Sequence, residues 1–184
     1  MNTPLPVIVL GIDPGKHGAA VLVGPDGGII EAHKTPLDGK DYNVEGMRNI
    51  IAGIYTDFIG RPRLPQLKDE GWKNNRVVVA IEKAQAMPRM QDGVPIHKPP
   101  SHVLPIGIGW GYWHMAACCY HLSVEIVMPK TWQAGIPTKG AKGAALKKVW
   151  WAEAKRRWPD FKMTQQLADA ALIADQTRRR IVGG

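Results

Sequence analysis

Three carboxylates stand where apolar segments would not hold them without a partner. Asp13 ends the run Val7-Ile8-Val9-Leu10-Gly11-Ile12, and Glu82 follows Val77-Val78-Val79-Ala80-Ile81. Asp169 lies inside Leu167-Ala168-Asp169-Ala170-Ala171-Leu172-Ile173-Ala174, where alanines would let a helix approach a sheet closely. An unpaired carboxylate in such surroundings costs on the order of several kcal/mol or takes up a proton, so something positive belongs beside each. If the three converge, they form an all-oxygen site of the kind that suits Mg²⁺ or Mn²⁺. Each also has a plain structural reading: Asp13 capping a turn, Glu82 paired with Lys83 or an arginine, Asp169 favouring a helix N-terminus.

The elements that must position these groups follow from hydrophobic periodicity. Residues 7–13 are apolar on both faces, as in a central strand covered on two sides. Pro14-Gly15 turns the chain into a second strand over 18–24, and Pro25-Asp26-Gly27-Gly28 turns it into a third over about 28–35, giving an antiparallel meander. Met47, Ile50, Ile51, Ile54 and Phe58 recur at helical spacing, predicting a helix over 44–59. A fourth strand runs over 76–83. The Pro-rich stretch from Met87 to Pro105 is expected to be a loop, and 107–121 a helix opened by Gly107, Gly109 and Gly111. A fifth strand over 123–128, reached through that helix, should lie parallel to the fourth by a right-handed crossover. Helices over 141–158 and 165–180, the latter capped by Thr164, finish the chain. The expectation is a single α/β domain spanning 1–184: a mixed five-stranded sheet, three antiparallel then two parallel strands, flanked by helices.

Composition narrows the function classes. The chain has 184 residues, 45% hydrophobic and 22% charged, which excludes wholesale disorder. No apolar run reaches the roughly 18 residues needed to span a bilayer, and the first residues lack a signal-peptide layout, so a cytoplasmic protein without a membrane role is expected. The two cysteines, Cys118 and Cys119, are adjacent and too close for a disulfide, which fits a reducing compartment. The net charge of +8 is unevenly placed. Residues 1–129 hold 12 basic and 12 acidic side chains, whereas 130–184 hold 12 and 4, so the whole excess is C-terminal. Such asymmetry points to a polyanionic partner.

The stretches Gly11-Ile12-Asp13-Pro14-Gly15-Lys16-His17-Gly18-Ala19, Ile81-Glu82-Lys83, Pro129-Lys130-Thr131-Trp132 and Ala168-Asp169-Ala170-Ala171-Leu172-Ile173-Ala174 occur in this order over nearly the whole chain. Together they resemble the RuvC-type Holliday-junction resolvases, most of all their phage-borne relatives. The resemblance implies a ribonuclease H-like fold, a homodimer, and Mg²⁺-dependent nicking of paired strands in four-way DNA junctions, with Mn²⁺ as an alternative ion. It places the protein in the cytosol of a bacterium or a phage-infected host. It maps Asp13, Glu82 and Asp169 onto three metal ligands of the family. The family's fourth ligand, acidic or sometimes histidine, lies three residues before the last Asp, where this chain has Gln166. Residues 166 and 169 share a helix face, so the Gln166 carbonyl could reach a cation without bringing charge.

The chemistry implied is two-metal hydrolysis of a phosphodiester, with no covalent enzyme intermediate. A lysine near the scissile phosphate would stabilise developing charge, and Lys139 and Lys142 match the family's basic residues between the fifth strand and the next helix, with Lys142 the expected catalytic one. On that helix Leu146, Trp150, Ala154 and Trp158 form a core stripe. Lys147, Lys148 and Lys155 lie elsewhere and could meet DNA phosphates without reading sequence. Arg89 and Lys98 in the Pro-rich segment are further candidates for DNA contact. Trp151 is expected to pack against the dimer partner rather than to stack, and Arg178-Arg179-Arg180 to be a solvated helix end. Gly11 to Lys16 is one residue short of a P-loop. His114, Cys118, Cys119 and His121 crowd one helix and are expected to be buried packing residues, not a zinc site. Two other readings remain: a less selective nuclease of the same fold acting on flaps, forks or RNA-DNA hybrids, and a non-cleaving branched-DNA-binding protein.

Overall fold

In a computed structural model of the chain, the described residues are 6–60, 76–83, 89–91, 94–96, 100–138 and 140–183, with backbone alone from 89 to 102. Five strands form the main sheet: β1 (Val7–Asp13), β2 (Ala19–Val23), β3 (Ile29–Lys34), β6 (Arg76–Glu82) and β9 (Ser123–Val127). Their order is β3-β2-β1-β6-β9. β1 pairs antiparallel with β2 and β2 with β3, while β6 runs parallel to both β1 and β9. The expected mixed sheet is therefore the observed one. Two small hairpins add β4 (Leu37–Asp38) with β5 (Asp41–Tyr42), and β7 (Arg89–Gln91) with β8 (Val94–Ile96).

Strand alternation divides the interior into two layers. Ile8, Leu10, Ile12, Val77, Val79 and Ile81 face α1 (Val44–Phe58) and α2 (Pro100–Cys119), which contribute Met47, Ile51, Ile54 and Trp113. On the opposite face Val7, Val9, Val78 and Ala80 meet α4 (Ala144–Arg157) and α5 (Gln165–Val182). Asp13 and Glu82 continue the second set, since strand alternation puts Asp13 four residues beyond Val9 and Glu82 two beyond Ala80 on the same face. α5 crosses β1 without clearance. A Cβ on Gly11 would lie 2.1 Å from the Ala170 carbonyl oxygen and 2.6 Å from the Ala174 nitrogen. Glycine on the strand and alanine on the helix are what allow this approach. Asp169, next to Ala170, is carried with the helix to the end of β1. Thr164 caps α5 as expected, its Oγ1 accepting from the Leu167 N–H at 3.4 Å.

The Pro-rich stretch is where the expectation of one loop fails. Its described parts include the β7–β8 hairpin, and α2 begins at Pro100, seven residues before the expected start. Proline at the first helical position loses no hydrogen bond, and Pro105 in the second turn removes only one. The Pro105 carbonyl also accepts from the Tyr42 hydroxyl at 2.8 Å. A short helix α3 (Pro129–Gln133), absent from the sequence reading, follows β9. Among the described residues no helix is long and apolar enough to cross a membrane.

Candidate metal centre

Parallel strands β1 and β6 present their last residues side by side, since Ile12 stands opposite Ile81 in the register. That places Asp13 and Glu82 on neighbouring strand ends, about 4.8 Å apart in backbone spacing, on the face that α5 covers. The turn after β1 is tight: Asp13 Oδ1 accepts from the Gly15 N–H at 3.3 Å, and the Gly18 N–H donates to the Gly15 carbonyl at 2.9 Å. Glu82 is held from the other side by α3, whose buried Trp132 donates its indole N–H to Glu82 Oε1 at 2.8 Å. Trp132 is itself wedged edge-on against Trp150 of α4, with ring centroids 4.9 Å apart. One Glu82 oxygen is thus fixed by a neutral donor and the other is left for a further partner.

The three carboxylates act on one another electrostatically. Burial pushes the Asp13 carboxyl up, against the Gly15 N–H and the charge of Lys147. Glu82 is raised to about 7, first by burial and further by the charges of Asp13 and Asp169, with Trp132 and Lys147 opposing. Asp169 is raised to about 6 by burial and by Asp13, with Lys147 opposing. Buried carboxylates that repel one another are under-neutralised, and a divalent cation is the partner that would restore balance. The donor set fits Mg²⁺ or Mn²⁺: oxygen ligands on rigid strand ends and one helix, with cysteine and histidine absent from the three. Among the described residues no three His, Cys, Asp or Glu side chains already surround a single point at ligand spacing. Among the described residues Lys147 reaches the group, its Nζ 3.4 Å from Asp169 Oδ2.

A cleft of about 190 Å³ opens over the site, lined by Asp13, His17, Lys147, Gln165, Gln166 and Asp169. Gln166 therefore shares this space with two of the carboxylates, as its helix position predicts. Lys142 is exposed in the turn before α4, and Lys148 and Lys155 are exposed on α4 itself. Lys155 stacks its ammonium over the Trp151 ring, 4.4 Å from the centroid. Lys98 and Lys139 lie outside the described residues; Arg89 is on β7, where the backbone alone is described.

Sequence reasoning placed Lys147 on a basic outer face and missed its ion pair with Asp169. The available signal was its position in the first turn of a helix that has no acidic residue there, the end at which a lysine gains nothing from the helix dipole. The Arg178-Arg179-Arg180 end is not simply solvated. Arg178 and Arg179 bind Asp175, and Arg180 pairs with Glu125. Trp151, expected against a dimer partner, instead packs within its own chain, its indole N–H donating to the Met163 carbonyl at 3.0 Å. Cys118 and Cys119 are exposed, contrary to the expected buried packing, because they fall on the outward face of α2.

The solved structures most informative about this fold are two of RuvC from Thermus thermophilus. "T. thermophilus RuvC in complex with Holliday junction substrate" superposes with a TM-score of 0.61 at 13% identity, covering 96% of each chain. "Thermus thermophilus RuvC structure" gives 0.59 at 16%, again covering 96% of each. No family model and no curated protein matches the sequence. At such identities the likeness is one of fold, and the fold is ribonuclease H-like.

Proposed function

We propose that this protein is a structure-selective endonuclease that resolves four-way DNA junctions by metal-assisted hydrolysis, acting in the cytosol of a bacterium or phage-infected cell. The reading is supported by Asp13, Glu82 and Asp169, which come from two parallel strand ends and one helix, are buried, and raise one another's pKa by charge repulsion. A structural neighbour over almost the whole chain is described as bound to a Holliday junction, which supports a branched-DNA substrate. Divalent Mg²⁺ or Mn²⁺ held here would supply Lewis-acid activation of water and stabilisation of charge on the leaving group. Asp13, Glu82 and Asp169 would hold them, with Gln166 as a neutral fourth ligand. Trp132 keeps Glu82 oriented by occupying one of its oxygens. Lys142, with Lys139 nearby in sequence, would stabilise charge on the phosphate. Lys148 and Lys155, together with Arg89 and Lys98, would neutralise phosphates along the arms.

Symmetric nicking needs two copies, and α2 offers a surface for the second. While Trp113, Ala116 and Ala117 are buried, Leu104 (63% exposed), Ile108, Tyr112 and Met115 (63% exposed) form a stripe on the outer side. Gly107 and Gly111 border the stripe, and a Cβ on either would meet nothing within 4 Å. An exposed apolar strip edged by glycines would let a second copy of the same helix approach closely.

The test is incubation of the purified protein with a labelled four-way junction and Mg²⁺. Paired nicks at symmetric positions, lost in Asp13→Asn, are expected; an intact junction across Mg²⁺, Mn²⁺ and pH would overturn the assignment. Cutting of flaps, forks or RNA-DNA hybrids at equal rates would move it to the less selective nuclease. Gln166 is the feature that favours a non-cleaving junction binder, and junction binding without metal uptake would select that reading.

A further inference from the structure

The metal-centre reading leaves Lys147 unexplained. Its ammonium pairs with Asp169 and its charge acts on Asp13 and Glu82 as well. Nothing local to α4 accounts for a lysine there: the N-terminal turn of a helix disfavours cations, and this turn holds no acidic neighbour. We infer that Lys147 is the resident counter-ion of the metal-free carboxylate site and is exchanged for the divalent cation when one binds. The inference rests on the proposed function in one respect only, that divalent ions bind at Asp13, Glu82 and Asp169.

Charge and geometry both call for exchange over coexistence. Three carboxylates facing one ammonium retain net negative charge, which a divalent ion satisfies better than a lysine at 3.4 Å. Mg²⁺ binds carboxylate oxygens at about 2.1 Å, so an ammonium still paired to Asp169 would stand close to a like charge of twice its size. The lysine can leave at little cost. Its side chain is 55% exposed and lines an open cleft, whereas the Asp169 side chain it pairs with is 11% exposed and fixed on a buried helix. Once displaced, the ammonium stays tethered at the mouth of that cleft, free to meet a phosphate group. Metal loading would then arm a DNA contact.

The exchange predicts an effect of unusual sign, since removing a basic residue from a DNA-cleaving site should improve metal binding. Mg²⁺ and Mn²⁺ would be titrated calorimetrically into the full chain without DNA, comparing wild type with Lys147→Met, Lys147→Gln and Lys148→Met. Affinity about five- to tenfold tighter is expected in both Lys147 variants. Lys148→Met, which removes the same charge from the next, exposed position, should stay within about twofold of wild type. Unchanged or weaker affinity in the Lys147 variants overturns the exchange, and equal tightening in Lys148→Met does so too, by reducing the effect to overall charge. Thermal unfolding gives a second readout. In chelator the Lys147 variants should melt below wild type, and Mg²⁺ should raise their melting temperature by more; equal shifts would again overturn it. Failure of wild type and all variants to bind either ion would instead remove the metal-centre reading itself.

Discussion

One helix carries two buried aspartates that have opposite electrostatic fates. Asp175 is 2% exposed, and its oxygens accept from Arg157 at 2.8 Å, Arg179 at 2.9 Å and Arg178 at 3.0 Å. Arg157 also binds Glu153, which Arg156 grips from the other side. Asp169, six residues earlier and 7% exposed, has one half-exposed lysine and two other carboxylates for company. The consequences diverge accordingly. Hydrogen bonds from Arg156 and Arg157 hold Glu153 down at about 2, whereas burial and mutual repulsion hold Glu82 up at about 7. Carboxylates saturated by arginine join α4 to α5 and the β2–β3 turn, where Arg178 also reaches the Pro25 carbonyl. Carboxylates left short of positive charge are the ones proposed above to take a cation from solution.

The sharpest way to break this contrast is to make the same substitution twice. Asp169→Asn should lower metal-dependent junction cleavage by at least about a thousandfold, because it removes a charged ligand. Melting in chelator should stay level or rise, since a repelled buried charge is gone. Asp175→Asn should do the reverse. Leaving three arginines without their carboxylate should cost about 3 kcal/mol of stability, while Mg²⁺ titration of the folded protein gives an affinity near that of wild type. Similar outcomes for the two variants would dissolve the distinction.

A pH series separates the two clusters without mutation. Glu82 and Asp169 have folded values raised to about 7 and about 6. The stability they contribute is complete below the ordinary carboxylate range and is lost as pH rises from about 4 towards 7. Glu153 is lowered to about 2, so its contribution is present above about 4.5 and is lost as pH falls towards 2. Metal-free protein should therefore be most stable near pH 4 to 5, with both flanks falling. Mg²⁺ should lift the neutral flank alone, because it binds the deprotonated site. Melting curves in chelator and in Mg²⁺ would reveal this, and a neutral flank unaffected by Mg²⁺ would count against metal binding at these residues.

The sheet was legible because its signals are local. Apolar runs bounded by Pro-Gly and Gly-Gly turns gave the meander, and the crossover rule gave the parallel pair. Asp13, Glu82 and Asp169 were legible as misfits in apolar surroundings. The arginine cluster had a signal too, since Asp175, Arg178 and Arg179 stand at i, i+3 and i+4. The run of three arginines obscured it by suggesting a charged, fraying end. Prolines at 99, 100 and 105 hid the start of α2, because a proline in the first turns of a helix looks in sequence like one that forbids it. Trp132 stands in one of the stretches that carry the resemblance, but its hold on Glu82 was not legible. A tryptophan that donates to a residue 50 positions away leaves no periodic trace, and only the packing of α3 against the end of β6 brings the two together.

Gln166 offers the finest adjustment of the comparison, because it shares the cleft with Asp13 and Asp169 but brings no charge. If the site is short of positive charge from its own chain and designed around a cation from solution, another carboxylate should strengthen it. Asp175's neighbourhood, already balanced by arginine, gives no reason to expect the same there. Gln166→Glu keeps the side-chain length and changes one amide to a carboxylate in the cleft. The expected result is a fall of about five- to tenfold in the Mg²⁺ concentration that half-saturates cleavage. Metal-free protein should melt slightly lower at neutral pH, since another negative charge joins the group. The gain in metal affinity is partly offset because the added charge also strengthens the hold of Lys147, so Gln166→Glu combined with Lys147→Met should exceed either change alone. An unchanged Mg²⁺ requirement in Gln166→Glu would mean that this side chain, although it lines the cleft, does not face the ion.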